Sequence, residues 1–283
     1  MTAPWSVDGK VSIVTGSNTG LGRVTAMELA RQGSHVFLAS RSAERTGPVV
    51  DAIRRECGQD RADYLPIDLA SLGSVKEAAE NFLARDLPLH VLVNNAGEVG
   101  QTGSTKDGFQ MTFGVNYLGH YLFTRLLLER MQKSAPARIV HVSSDMHFGA
   151  KEIDWARVRG PSHFPGISEY RVSKLANVLF NVALARRFDG RGPNTYAVHP
   201  GGVATDIYRR VPRPIRGLLT RMLLTPEQGA RTQIRLAVDP TLADQTGLYY
   251  ANERPKQPSP LADDVRLVDE LWTRSEGWVA GYL

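Results

Sequence analysis

Residues 11–22 read Val11-Ser12-Ile13-Val14-Thr15-Gly16-Ser17-Asn18-Thr19-Gly20-Leu21-Gly22. Val11–Thr15 is a short apolar run that predicts a strand, and the stretch from Leu21 to Arg31 has helical spacing. The glycines join the two. Gly16 permits a tight turn off the strand. Gly20 and Gly22 remove side chains where backbone must approach a pyrophosphate and where helix meets sheet. The helix that follows offers free N–H groups and the positive end of its dipole to an anion. A glycine-rich turn alone is a weak signal. Strand, turn and helix in this order near the start of a chain predict a dinucleotide cradle formed by Gly16, Ser17, Asn18, Thr19, Gly20, Leu21 and Gly22.

Working outward, the pattern repeats. Val11–Thr15, His35–Ala39, Tyr64–Ile67, Val91–Asn94, Ile139–Ser143, Thr195–His199 and Gly247–Ala251 read as strands. Stretches of helical spacing lie between the first six, Ser71–Arg85 among them. The strands are continuous apolar runs, as expected when both faces are covered. The chain therefore predicts an α/β, Rossmann-type, doubly wound parallel sheet of about seven strands with helices on both faces. With no repeat or linker in 283 residues, we expect one domain: a dinucleotide-binding half over about 9–150 and a catalytic and substrate half over about 139–283. Leu118–Leu128 (LGHYLFTRLLL) and Leu175–Ala185 (LANVLFNVALA) are apolar nearly all round. One sheet face needs only one apolar stripe, so a second subunit is expected to cover the surplus, in a homodimer or homotetramer. A fully internal helix is the alternative.

Composition narrows the function classes. Hydrophobic residues make up 42% and charged residues 22%, with a net charge of +5. The basic residues are scattered and match no nucleic-acid motif, so no nucleic acid is expected. The first ten residues, MTAPWSVDGK, lack the basic start and apolar stretch of a signal peptide, and no run is long enough to span a membrane. One cysteine, Cys57, allows no internal disulfide, and the seven histidines show no ligand spacing. A cytoplasmic location and no metal are expected.

The second strand runs into Phe37-Leu38-Ala39-Ser40-Arg41. An acid here would suit ribose hydroxyls, as in NAD-binding folds. Instead Ser40 and Arg41 stand at this point. A carboxylate would repel a 2′-phosphate, whereas a guanidinium binds one in a forked pair. The expected cofactor is NADP(H), with Arg41 at its 2′-phosphate and Arg23 as a second positive charge.

Thr15–Gly22, Asn94-Asn95-Ala96-Gly97, Ser143-Ser144, Tyr170-x-x-x-Lys174 and Pro200-Gly201 occur in this order. Together they resemble the short-chain dehydrogenase/reductase family, over about Gly9 to Ala251, and the glycine spacing resembles its compact type. Asn116–Tyr121 (NYLGHY), Ser173–Phe180 (SKLANVLF), Tyr196–Gly201 (YAVHPG) and Thr246–Pro260 (TGLYYANERPKQPSP) look like the retinol dehydrogenase group. Members of that group handle retinoids, steroids and other lipophilic carbonyls.

Tyr170 and Lys174 are four apart at the start of a helical run, one turn apart on one face. On its own this spacing is an ordinary surface pair. With the other motifs it is an acid/base, because an adjacent ammonium favours the phenolate of a tyrosine. In reduction Tyr170 donates a proton to the carbonyl oxygen as hydride arrives; in oxidation it takes the alcohol proton. Lys174 also binds the nicotinamide ribose. The resemblance implies that Ser144 hydrogen-bonds the substrate oxygen, with Ser143 as the alternative. It also implies that Asn116 lies at a helix kink and orders a water that relays protons to the lysine; a helix cap is the alternative. Asp68 and Leu69 are implied at the adenine. Asn94, Asn95, Ala96 and Gly97 are implied at the adenosine ribose, the asparagines also as braces between strands. Pro200, Gly201, the Val203 backbone and the Thr205 hydroxyl are implied at the carboxamide. His147 is expected to be a loop histidine and His199 to pack and hydrogen-bond locally.

Two segments should select the substrate. Asp145–Glu169 contains His147, Phe148, Trp155 and Phe164, and Ile207–Leu224 mixes arginines, prolines and apolar residues. The second reads as a lid over an apolar substrate, with contact to a membrane surface as the alternative. The expected function is interconversion of a lipophilic aldehyde or ketone and its alcohol. The competing readings are an NADP-binding redox sensor without turnover and a double-bond reductase.

Overall fold

The computed structural model describes residues 5–202 and 224–283. All seven expected strands form: β1 (Val11–Thr15), β2 (His35–Ser40), β3 (Ala62–Pro66), β4 (Val91–Asn94), β5 (Arg138–Val142), β6 (Asn194–His199) and β7 (Leu248–Ala251). They run parallel in the order β3-β2-β1-β4-β5-β6-β7. An unexpected two-residue strand, β8 (Arg254–Pro255), folds back antiparallel on β7. The turn between them places Asn252 and Glu253 at φ of 50° and 62°, the left-handed pair that a two-residue hairpin needs.

The continuous apolar strands divide between two cores because successive side chains point to opposite faces. Ile13, Phe37, Leu92 and Ile139 face one layer, and Val14, Leu38, Val93 and Val140 face the other. Helices α1 (Gly20–Arg31), α2 (Ala43–Cys57) and α7 (Pro226–Val238) cover the second layer. On the first lie α3 (Leu72–Leu83), α5 (Gly119–Lys133), α6 (Ile167–Phe188) and α8 (Val265–Val279), with the single turn α4 (Met111–Phe113) ahead of α5. Local signals start several of them. Ser42 and Ser71 cap α2 and α3, Thr225 and Gln228 form a capping box at α7, and Asp264 accepts from two amides of α8. Among the described residues no helix is long and apolar enough to cross a membrane.

The surplus apolar faces of α5 and α6 have a different cover from the one expected. The chain's own α8 lies on them. Trp272 packs edge-on to Tyr121, with ring centroids 5.4 Å apart, and between the guanidinium groups of Arg125 and Arg187. Arg125 grips Glu276 through two bonds of 2.8 and 3.0 Å, and Tyr117 meets Ser275 at 2.8 Å. The internal alternative therefore holds for these helices, and their burial calls for no second copy.

One buried charge ties the second layer together. Arg138, 2% exposed, donates to the Leu236 and Asp239 carbonyls at 2.9 and 2.8 Å, and its guanidinium lies 4.5 Å from the Trp5 ring centroid. Trp5 donates to Ala237 O beside them. The cation thus closes the carbonyl end of α7, where the helix dipole is negative. Arg138→Met strips two buried carbonyls of their donors. It is expected to lower stability by about 3 kcal/mol, or about 6–12 °C in Tm for a chain of this size. Thermal unfolding checks this, and an unchanged Tm would show that α7 is closed by other donors.

Candidate active site

Strand order reverses between β1 and β4, and the crevice at their carboxyl ends is where open α/β sheets take ligands. The glycine turn lies there. Gly16 has φ of +66°, and a Cβ on it would come within 2.9 Å of Ala96 Cα. A Cβ on Gly22 would collide with the Gly16 carbonyl and lie 2.6 Å from Asn95 Nδ2. These two positions let α1 close onto the end of β1. The Thr19 side chain makes no cap bond, and the first turn of α1 holds no acid. Ser17 is fully buried in the turn, and its hydroxyl has no hydrogen-bond partner among the described residues.

Thr15 fastens this turn to the segment after β4. Its Oγ1 accepts from Asn95 N at 2.9 Å and Ala96 N at 3.0 Å, and its carbonyl accepts from Asn95 Nδ2 at 2.8 Å. Gln233 of α7 donates to Asn95 Oδ1 at 3.3 Å. Asn94 turns the other way, donating to Thr124 on α5 at 2.9 Å and meeting His141 on β5 at 3.3 Å. Both asparagine side chains therefore brace the structure. Asn94 in particular is 2% exposed.

At the end of β2, Ser40 is buried against Thr46, and Arg41 is exposed just past it. Gly16 N donates to Ala39 O at 2.8 Å, which sets Arg41 beside the glycine turn. No described residue forms an ion pair with Arg41. Arg23 is exposed on α1. Asp68, half-buried after β3, accepts from Ala70 N at 3.1 Å, while Leu69 is buried against Gly119.

The four residues expected to do chemistry converge from three elements. Asn116 lies inside a π-helical turn, Gly114–Leu118, between α4 and α5, so the helix-cap alternative does not hold. The widened turn presents its amide to Glu98: Oδ1 accepts from Glu98 N at 2.8 Å, and Nδ2 donates to Glu98 O and to Ser173 Oγ, both at 3.0 Å. Lys174 on α6 is 3% exposed and donates to Val142 O at 2.8 Å. Burial pushes its pKa down to about 8, against the pull of the Glu98 carboxylate. Its Nζ lies 5.5 Å from the Tyr170 ring centroid. A Cβ on Gly97 would be 3.4 Å from both Lys174 Nζ and Asn116 Oδ1, so the glycine lets these groups approach.

The serine pair separates by its partners. Ser143 is buried and donates to Lys174 O at 2.7 Å, fixing α6 to β5. Ser144 Oγ accepts from Met146 N at 3.2 Å, which leaves its own proton for another acceptor. The next residue, Asp145, receives Tyr249 OH at 2.8 Å and Lys256 Nζ at 2.9 Å. Pro200 and Gly201 follow β6 at the same edge, and Gly202 O accepts from Leu224 N at 2.8 Å. Val203, Thr205 and the expected lid, apart from Leu224, lie outside the described residues.

Sequence reading missed Glu98, whose burial next to the amide of Asn116 follows from a contact 18 positions away. It also missed that His147, in the short turn between β5 and α6, is fully buried. The arrangement offers a phenol beside a buried ammonium, a hydroxyl with a proton to give, and an anion cradle, all on one edge of the sheet.

The family model described as short chain dehydrogenase matches residues 10–215. Human retinol dehydrogenase 11 is 39% identical over 274 residues, covering 96% of this chain and 86% of its own length. Mouse polyprenol dehydrogenase is 40% identical, covering 93% of this chain and 82% of its own. Among solved structures, an uncharacterized protein from Mycobacterium paratuberculosis superposes with a TM-score of 0.76 at 29% identity, covering 98% of this chain and 96% of that one. A structure from Beutenbergia cavernae, described as an NAD(P)-dependent gluconate 5-dehydrogenase with bound NADP, gives 0.70 at 28% identity, with 88% and 97% covered.

Proposed function

We propose, given that the chain belongs to the short-chain dehydrogenase/reductase family, that it is an NADP(H)-dependent enzyme interconverting a lipophilic aldehyde or ketone and its alcohol. One observation carries this reading: Lys174 Nζ lies 5.5 Å from the Tyr170 ring centroid and approaches Asn116 across Gly97, and Ser144 follows β5 at the carboxyl edge that also carries the glycine turn. The cradle fits a dinucleotide. The close approaches at Gly16 and Gly22 leave no room for side chains, and the buried Ser17 hydroxyl, without a partner among the described residues, can donate to or accept from a ligand group. Gly16 through Gly22 would hold the pyrophosphate, Arg41 and Arg23 the 2′-phosphate, Asp68 the adenine, and Lys174 the nicotinamide ribose. The cofactor supplies or removes a hydride.

The chain's residues manage the proton. In reduction Tyr170 gives its phenolic proton to the substrate oxygen, while Ser144 donates a hydrogen bond to the same oxygen. The tyrosinate left behind is stabilised by the buried Lys174 ammonium, whose pKa of about 8 keeps it mostly protonated at neutral pH. Oxidation of the alcohol runs the same transfers backwards. Asn116 holds the Gly97–Glu98 backbone and Ser173 in register with Lys174. The apolar substrate class is supported by the retinol and polyprenol dehydrogenase relatives and by Phe148 and Phe164 in the exposed loops near the site.

A fluorescence titration of the purified protein tests the cofactor half of this reading. NADPH is expected to bind tightly and NADH weakly, with lipophilic aldehydes then oxidising the bound NADPH. Binding of neither nucleotide would overturn the proposal.

A further inference from the structure

We propose that His147 is a positioning residue: by holding the Ser144 carbonyl it fixes the direction in which the Ser144 hydroxyl donates. This rests on the reading of Ser144 as the donor to the substrate oxygen. His147 is fully buried in the short turn Asp145–Gly149 that follows the serine. Its Nδ1 lies 2.7 Å from Ser144 O. A carbonyl only accepts, so the proton is on Nδ1. Nε2 then has a lone pair, which accepts from Ser259 N at 3.0 Å. The two partners together select one neutral tautomer, and burial favours that neutral form by pushing the imidazole pKa down.

Ser144 O also receives the His147 amide at 3.0 Å, so two donors from one residue hold this carbonyl. The other face of the same peptide unit is held as well. Asp145 N donates to His199 Nδ1 at 3.2 Å, and His199 directly precedes Pro200-Gly201. The peptide after the serine is thus clamped between two imidazoles, and the backbone of Ser144, at φ −162° and ψ 150°, cannot rotate without breaking one of them. The ring itself is locked by packing on Phe148 and Tyr249, with centroids 4.2 and 4.8 Å away. A catalytic hydroxyl depends on such support, because small misplacements of a donor are costly in rate.

A purely structural role would make His147 a strap between the serine turn and the chain at Ser259. The two bonds use different nitrogens, so they can be cut separately. In His147→Asn the amide nitrogen takes the place of Nδ1 and keeps the bond to Ser144 O. In His147→Gln the longer amide reaches the Nε2 position and keeps the bond to Ser259 N. The Asn variant thus leaves Ser259 N without its acceptor, and the Gln variant leaves Ser144 O without the imidazole donor. With NADPH affinity confirming the fold of each variant, His147→Gln is expected to lower kcat about tenfold with KM little changed. His147→Asn should stay within about twofold of the parent. Equal losses in the Asn and Gln variants, or loss of NADPH binding in either, would overturn the proposal in favour of the strap. Ser144→Ala run alongside separates the two readings. If it retains full turnover, the serine assignment fails. If it is impaired while His147→Gln is not, only the positioning role fails.

Discussion

Tyr170→Phe is expected to lower turnover by about 10²–10⁴-fold in both directions while leaving NADPH affinity within about twofold. The substitution removes one oxygen and the proton it carries. The ring remains, so its packing on α6 and the 5.5 Å approach of Lys174 Nζ to the ring centroid are kept. Ser144 still offers a hydrogen bond to the substrate oxygen, but an aliphatic hydroxyl is a much weaker acid than a phenol and does not replace it as the proton donor. With the phenol oxygen gone, the buried Lys174 ammonium has no phenolate to stabilise. Steady-state rates with a lipophilic aldehyde, paired with a fluorescence titration of NADPH, separate the two quantities. Turnover retained at a tenth of the parent or better would mean that another group supplies the proton.

Arg41→Asp is expected to weaken NADPH binding on the order of 100-fold and NADH binding less than about threefold. The guanidinium is exposed at the end of β2, beside the glycine turn, with no described residue as its ion-pair partner. Its charge is thus available to a 2′-phosphate, and an aspartate there would repel one. NADH has a 2′-hydroxyl at that position, which a carboxylate can accept from. The preference should therefore narrow or invert. Raising the salt concentration should erode the parent's NADPH affinity more than the variant's, since an exposed charge pair is screened. Equal losses for both nucleotides would sink the 2′-phosphate role and point to damage in the glycine turn. Fluorescence titrations at two ionic strengths provide the comparison.

The parts of this protein that the sequence determined alone are those whose causes are local. A strand covered on both faces must be apolar throughout, so β1, β2 and β4 through β7 are legible within a residue or so of their ends. The start of β3 is less so, because Ala62 and Asp63 join the ladder through Val36 and Phe37, and the Asp63 charge is met by Arg54 and Arg85. A glycine turn between strand and helix announces an anion site because only glycine fits there, and Tyr170 and Lys174 share a face because four residues make one helical turn.

Contacts between distant segments decided the rest. Which of Ser143 and Ser144 has its proton to spare depends on the Lys174 carbonyl, 31 positions from Ser143. Asn94 turns into the core because Thr124 and His141 wait there, and Asn116 reaches Glu98 and Ser173 because a π-turn, which has no sequence signal, widens the helix at that point. The apolar surplus of α5 and α6 was plain in the sequence, but its cover was not. That cover is α8, more than 130 positions beyond the start of α5, and only the folded chain lays Trp272 between Arg125 and Arg187. Apolar periodicity reports that a face must be buried; it carries no information on what buries it.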